Sequence, residues 1–398
     1  GHIKRFGSFP NTQIVAISDL HETNISKSLS IIDNLKTSKS HSNPKTYYGN
    51  KDKWRLMLKE TNADIVVIST DWNTHGIMAI ETMKNNKHAF VEVPLANTIK
   101  ELWEIVNTSE KFQKHCMMME NVNYGREELM FLNLCRKGLL GELYHGEAAY
   151  IHDLRWQMYE EEIGTGSWRT LQYEKKKGNL YPTHGLGPVS QYMNLLRTED
   201  TFKTLISFSS PALGREKFAR ENFKENHKWN KLNYQNGDIN TTVIKTYLGR
   251  TIMVQWDETS PRPYTRLNLI QGTKGILAGG PTRAAFNNGF EGYTKDAEEW
   301  IIGEGIDALY EKYDHPMYKR LHKITQDSGH GGMDGMMVYR IIECLRNGEP
   351  LDQNVYEGCA WSSLIELTSN SVNNNGQPQY FPDFTRGNWV NTNTFDII

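Results

Sequence analysis

Short apolar runs that stop at a polar residue punctuate the first third of the chain. Residues 14–18 (IVAIS) are β-branched and apolar and end at Asp19, and residues 65–69 (IVVIS) repeat the pattern. Residues 88–91 stop at Glu92 and residues 116–119 at Glu120. Runs this short and this apolar suit buried parallel strands, which are covered on both faces. Stretches of helical length, 74–86 and 100–113, lie between them, so strand and helix alternate through about residue 137. That alternation predicts a doubly wound, Rossmann-like α/β domain over residues 1–137, whose ligands bind beyond the carboxyl ends of the strands. Asp19, Trp72, Asn73, Thr74, His75, Glu92, Glu120 and Asn121 stand at those ends and are expected to line one crevice.

After 138–141 the texture changes to longer alternating runs, 142–151, 241–247 and 251–257. These predict a second, α+β domain over 138–398 built on a large, mostly antiparallel sheet. Residues 333–346 and 356–370 have helical spacing, and the first of these closes on Asn347-Gly-Glu-Pro, a helix stop.

A length of 398 residues agrees with two domains, since it exceeds what one core usually serves. The 45 basic and 47 acidic residues are interspersed, so nothing draws the chain to nucleic acid or to an anionic membrane. A small neutral or weakly charged partner fits better. Cys116, Cys135, Cys344 and Cys359 are far apart and read as buried thiols, with neither a metal site nor a disulfide framework. No apolar run approaches the roughly 18 residues of a membrane span. A large antiparallel sheet with one face uncovered leaves a homo-oligomer open.

A dinucleotide fold opens with a strand, a glycine-rich turn that approaches the pyrophosphate, a helix, a second strand and an acid that accepts ribose hydroxyls. Here Gly1-His2-Ile3 reads as the tail of the glycine turn and Asp19 as the ribose acceptor, so the first strand and glycine-rich loop are expected to be missing from this sequence. Asp19 reads equally well as a helix cap or a solvated loop acid. An acid with no adjacent arginine favours NAD, because a carboxylate repels a ribose phosphate.

The tripeptide Glu92-Val93-Pro94 resembles the Glu-Lys-Pro signature of the glucose-fructose oxidoreductase and inositol dehydrogenase superfamily. Four longer segments, 117–124 (MMMENVNY), 147–153 (EAAYIHD), 178–187 (GNLYPTHGLG) and 329–334 (GHGGMD), resemble the NAD-dependent α-N-acetylgalactosaminidases, glycoside hydrolase family 109. The resemblance covers essentially the whole chain. It implies a glycosidase that dispenses with a pair of flanking carboxylates. Bound NAD takes hydride from sugar C3, the resulting ketone acidifies the C2 proton, the group on C1 leaves, water adds, and the hydride returns. It also implies a glycan or small-molecule substrate ending in α-N-acetylgalactosamine, and an exported, periplasmic or secreted protein.

Carried over by motif, Glu120, Tyr150, His152, Tyr181, His184 and Tyr264 form the sugar site, with Arg169 offering a cationic fork to a substrate oxygen. His184 and Tyr181 are the expected proton carriers around C3 and C2. The cofactor side comprises Asp19, Trp72, Asn73, Thr74, His75, Glu92, Val93, Asn121 and the backbone of Tyr181, Pro182, Thr183 and His184. Without a motif, His152 and His330 read as packed side chains, the tyrosines as core or sugar-stacking surface, Trp72 as a cover for the adenine end, Glu120 as an orienting group, and Met117, Met118 and Met119 as core. Most superfamily dehydrogenases carry lysine where this chain has Val93, and valine moves no proton. A plain sugar dehydrogenase, the main alternative, must therefore find its base elsewhere; a sugar- or dinucleotide-sensing protein is the third reading. Residues 159–167 and 217–236 are expected to be loops that shape aglycone choice.

Overall fold

The computed structural model describes residues 1–35 and 43–394. The first part runs α1 (His2–Gly7), β1 (Ala16–Ser18), α2 (Glu22–Asp33), β2 (Lys45–Tyr47), α3 (Lys53–Glu60), β3 (Ile65–Ile68), α4 (Trp72–Lys84), β4 (His88–Val91), α5 (Ile99–Phe112), β5 (Cys116–Met118) and α6 (Arg126–Arg136). The four apolar runs are strands, and each stops within one residue of its polar terminator. All pairings are parallel, in two sheets, β1-β2 and β3-β4-β5. The methionines at 117–119 are buried in the core, as their apolar run requires. Asp71 starts α4 by accepting the Asn73 amide at 3.0 Å, the bond that replaces a missing intrahelical partner.

The second part runs β6 (Leu143–Ile151), α7 (Thr165–Arg169), α8 (Gln172–Lys175), α9 (Thr183–Tyr192), β7 (Phe202–Ser209), α10 (Gly214–Asn222), β8 (Ile239–Thr246), β9 (Thr251–Asp257), β10 (Leu269–Gly272), β11 (Gly275–Ala278), β12 (Arg283–Phe286), α11 (Glu304–Tyr313), α12 (Pro316–Thr325), α13 (Met333–Asn347), α14 (Val355–Asn373) and β13 (Gln379–Tyr380). The strands form one eight-stranded sheet in the order β12-β11-β10-β6-β9-β8-β7-β13. It is antiparallel except between β6 and β9, which run side by side in parallel from His145/Thr251 to Ile151/Asp257. Segments expected as loops partly coil: 159–167 runs into α7, and 217–236 contains the end of α10 and a short 3-10 turn at Lys228–Lys231.

One face of the large sheet packs on α9 and α14; the other leaves Ile206, Phe208 and Val243 exposed. Helix α9 lies close on β6: a Cβ on Gly185 would stand 2.3 Å from the Ala149 nitrogen and 2.7 Å from its oxygen. Helix α14 opens with a capping box between Asn354 and Glu357 and then ties both domains together. Ser362 and Glu366 accept the amides of Leu95 (3.0 Å) and Ile99 (2.6 Å), while Thr368 and Ser371 accept those of Asn179 and Ser207 (both 2.9 Å).

Two predictions follow from this packing. The contact of Gly185 is with backbone, which cannot rotate away, so Gly185→Ala should destabilise the fold by about 1–3 kcal/mol in urea unfolding; an unchanged midpoint would contradict the tight approach. His315 caps α12 by accepting the Met317 amide at 3.1 Å, and burial with help from Arg136 pushes its pKa down to about 4. Burial, assisted by His115, does the same to His88, which accepts the His115 amide at 2.9 Å. The folded state thus holds both rings neutral, whereas the unfolded chain titrates near the usual histidine value. Stability should be complete above about pH 6.5 and fall as pH drops toward 4, by up to about 1.4 kcal/mol per pH unit for each ring. Denaturation midpoints from pH 7 to 4.5 check this, and His315→Asn, which keeps a cap, should flatten the slope.

Candidate active site

Glu120 directly follows β5 and is wholly buried, with its Oε1 2.6 Å from Nδ1 of His184 in the first turn of α9. The Val122 amide donates to the same Oε1 at 3.2 Å, and Gln353 Nε2 donates to the Glu120 carbonyl at 2.9 Å. One turn along α9, a Cβ on Gly187 would lie 3.1 Å from both Glu120 Cγ and Asn123 Oδ1, so the helix reaches the carboxylate only because that side chain is absent. Because Nδ1 is taken up by the Glu120 carboxyl, Nε2 is the His184 ring atom available for proton transfer.

The end of β6 supplies Tyr150 and, just beyond it, His152, which share a 3.0 Å hydrogen bond between Oη and Nδ1. Ring centroids of Tyr150 and Tyr181 are 4.9 Å apart, those of Tyr181 and His184 4.9 Å, and those of Tyr150 and His184 5.3 Å. Tyr264, exposed at the rim, stands 5.0 Å from His152 and 6.1 Å from Tyr150. Trp72 stacks on Tyr181 at 5.6 Å and so belongs to this aromatic group. Burial pushes the Tyr150 and Tyr181 phenols up, so both are protonated donors at ordinary pH. Burial lowers His152, which is accordingly neutral and can accept.

Arg169 ends α7 with its guanidinium 4.6 Å from the Trp72 ring centre and 4.9 Å from that of Tyr181. Its fork is less free than the sequence suggests. Nη2 donates to Glu258 and Nε to the Tyr173 hydroxyl at 3.1 Å, which leaves Nη1 without a partner among the described residues. Glu258, wholly buried just after β9, also takes the Tyr173 hydroxyl and lies 3.6 Å from Arg215. Sequence reading missed Glu258, Tyr173 and Arg215. The signal was present for Glu258, because Asp257-Glu258 closes an apolar strand just as Glu92 and Glu120 do.

On the cofactor side, Asp19 follows β1, and its Oδ1 accepts the His21 amide (2.8 Å) and Asn24 Nδ2 (3.1 Å), a loop-acid role. Its Oδ2 has no partner among the described residues and suits a ribose hydroxyl. Asn73 and Thr74 lie in the first turn of α4, with Thr74 Oγ1 donating to the Asp71 carbonyl at 2.9 Å. The buried His75 points both ring nitrogens at protein carbonyls, Pro94 at 2.7 Å and Thr70 at 3.0 Å, so its side chain braces the strand ends. Glu92 bonds His2 at 2.7 Å, and Val93 beside it is buried. Asn121 donates to Asp334 at 2.6 Å, and Asp334 also holds Arg5 (2.5 Å) and His330 (2.8 Å). Pro182 and Thr183 open α9 between Tyr181 and His184. Glu120 Oε2 and both polar atoms of the Asn123 amide are buried without partners among the described residues, so polar capacity remains beside the Glu120–His184 pair. That donor and acceptor set fits a dinucleotide with a polar ligand beyond it. A hollow of about 530 Å³, lined by Lys177, Ser209 and Tyr234 among others, shares none of these residues.

Strand ends of this kind beside an aromatic, imidazole-rich wall define a two-domain protein with an NAD-binding Rossmann domain. Residues 2–120 match the family "Oxidoreductase family, NAD-binding Rossmann fold", and residues 124–391 match "Glycosyl hydrolase 109, C-terminal domain". Glycosyl hydrolase family 109 protein 1 of Akkermansia muciniphila is 54% identical across 100% of this chain and 82% of its own length. The family 109 protein of Shewanella putrefaciens is 52% identical across 100% and 85%. The chain belongs to glycosyl hydrolase family 109. Among solved structures, levoglucosan dehydrogenase in complex with NADH and levoglucosan shares the fold, with a TM-score of 0.68 at 14% identity over 95% of this chain and 96% of that one. An inositol dehydrogenase homolog of Azotobacter vinelandii, complexed with NADH and myo-inositol, has a TM-score of 0.58 at 15% identity over 84% and 83%.

Removing Glu258 would leave Arg169 and Arg215 as buried cations without their carboxylate. Glu258→Ala should cost about 3–5 kcal/mol in denaturant unfolding. A loss below about 1 kcal/mol would show that this carboxylate does not hold Arg169 in place.

Proposed function

We propose that this protein hydrolyses terminal α-N-acetylgalactosaminides with retention, through a redox-neutral cycle of oxidation, elimination, addition and reduction. The reading is carried by the buried Glu120–His184 pair set against Tyr150, Tyr181 and Arg169 at the strand-end crevice, together with family membership. When bound, NAD supplies removal of the C3 hydride and its return, which makes the C2 proton acidic in between. The chain's own groups do the rest. His184 Nε2 accepts a proton and the Tyr181 hydroxyl relays one, giving up its own as it takes another, as protons leave the C3 hydroxyl and C2, with Glu120 holding the imidazole in one orientation. As the C1–O bond breaks, the Tyr150–His152 pair delivers a proton to the departing oxygen. Water then adds its hydroxyl to C1, and a proton returns to C2. Arg169, through Nη1, and Tyr264 at the rim orient the sugar.

A plain NAD-dependent sugar dehydrogenase is the second reading, favoured by the likeness in fold. Val93 counts against it, since the usual proton-carrying lysine is absent there. The two separate cleanly in one assay. A chromogenic α-N-acetylgalactosaminide should be cleaved with no net growth of NADH absorbance, and in D₂O the released sugar should carry deuterium at C2. Stoichiometric NADH without bond cleavage, or an unlabelled C2, would remove the proposed chemistry. His184→Ala should lower kcat on the order of 10²–10⁴-fold, as loss of a general acid–base does.

A further inference from the structure

Four successive residues between α12 and α13, Gly329, His330, Gly331 and Gly332, have positive φ, from 46° to 106°. Such backbone suits glycine and strains other residues, so the turn is shaped for a close approach. A Cβ on Gly329 would run into Nη2 of Arg5 and stand 2.7 Å from Oδ2 of Asp334. The turn thereby lets α13 pack on both α1 and the residues Asn121–Tyr124 that follow β5. A single carboxylate stands where these segments meet. Asp334, 3% exposed, accepts Asn121 Nδ2 on its Oδ1 at 2.6 Å, while its Oδ2 takes Arg5 Nη2 at 2.5 Å and lies 2.8 Å from His330 Nδ1. The Ser328 carbonyl accepts Arg5 Nε at 2.6 Å, so the guanidinium is held by the turn as well as by the acid.

The bond to Asp334 decides which way round the Asn121 amide stands. Its NH2 group faces the carboxylate, since its carbonyl would set oxygen against oxygen. Oδ1 is then turned away, without a partner among the described residues, at the carboxyl end of β5 where a Rossmann domain holds its dinucleotide. Asn121 adjoins Glu120, whose partner His184 serves the sugar, so the nicotinamide half of the cofactor is the half within its reach. Resting on the reading of Asn121 as a cofactor contact, we propose that Asp334, a residue of the second domain, is a positioning residue for NAD. It holds the Asn121 amide so that Oδ1 is offered as an acceptor to an N–H or O–H group of the nicotinamide half. Arg5 holds Asp334 in turn. Cofactor affinity is therefore set partly from outside the Rossmann domain.

The test exchanges the two side chains and reads the dissociation constant for NADH from its fluorescence, with no glycoside present. Asp334→Asn should raise that constant about tenfold, the worth of one well-placed hydrogen bond. Asn121→Asp keeps an acceptor for the cofactor but sets two carboxylates face to face, and should weaken binding by a similar factor. With both changes together an amide again donates to a carboxylate, and binding should return to within about threefold of wild type. A merely structural role predicts the opposite, losses that add. Melting curves identify any variant that has not folded, and where Asp334→Asn fails, Asn121→Asp against the exchanged pair decides alone. Single variants that bind NADH like wild type, or an exchanged pair as weak as the two losses combined, overturn the positioning role and leave the glycosidase reading intact. Wild type that binds no NADH overturns both.

Discussion

The crevice is organised around a carboxylate that has left water entirely. Glu120 has no exposure, and a buried charge without compensation costs several kcal/mol. Its charge is met by His184 Nδ1 and the Val122 amide, and these bonds fix the first turn of α9 against the end of β5. Tyr181 immediately precedes that turn, and the end of β6 lies beneath it, so the phenol of Tyr150 and the ring of His184 are located by the same contact. The two glycines at 185 and 187 are part of the constraint. One lets α9 sit on the Ala149 backbone and the other lets it reach Glu120.

A second buried carboxylate, Glu258, does for Arg169 what Glu120 does for His184. In each case a strand ends in an acid that is spoken for by the protein, and the partner presents its remaining edge outward. This division explains why Arg169 offers a single free donor atom, Nη1, rather than a bidentate fork. It also leaves phenols and imidazoles facing one another in the site, groups that pass protons with little rearrangement.

Much of this was readable in the chain itself. Apolar runs ending in Asp19, Glu92 and Glu120 fixed the parallel strands, because a strand covered on both faces admits no polar residue until it emerges. The alternating runs at 142–151, 241–247 and 251–257 identified the second sheet, but alternation records which face is buried and not which strand is the neighbour. The parallel pairing of β6 with β9 was therefore hidden. His75 shows the other limit: its place at a strand end was legible, whereas its side chain turns inward to two carbonyls that lie 5 and 19 residues away in sequence. The placement of Trp72 on Tyr181 and the engagement of Arg169 by Glu258 depend likewise on contacts between distant segments.

Helix α14 has one further bearing on how the molecule works. Its Ser362 and Glu366 fasten the loop after β4, while Thr368 and Ser371 fasten the segment before α9 and strand β7, so a single rigid rod is bolted to both halves. Swinging the two halves apart would break bonds that this one helix makes to both. The end of β4, the opening of α9 and strand β7 are thereby registered against one common element, so the strand-end acids and the ring of His184 keep their spacing only while that helix stays whole.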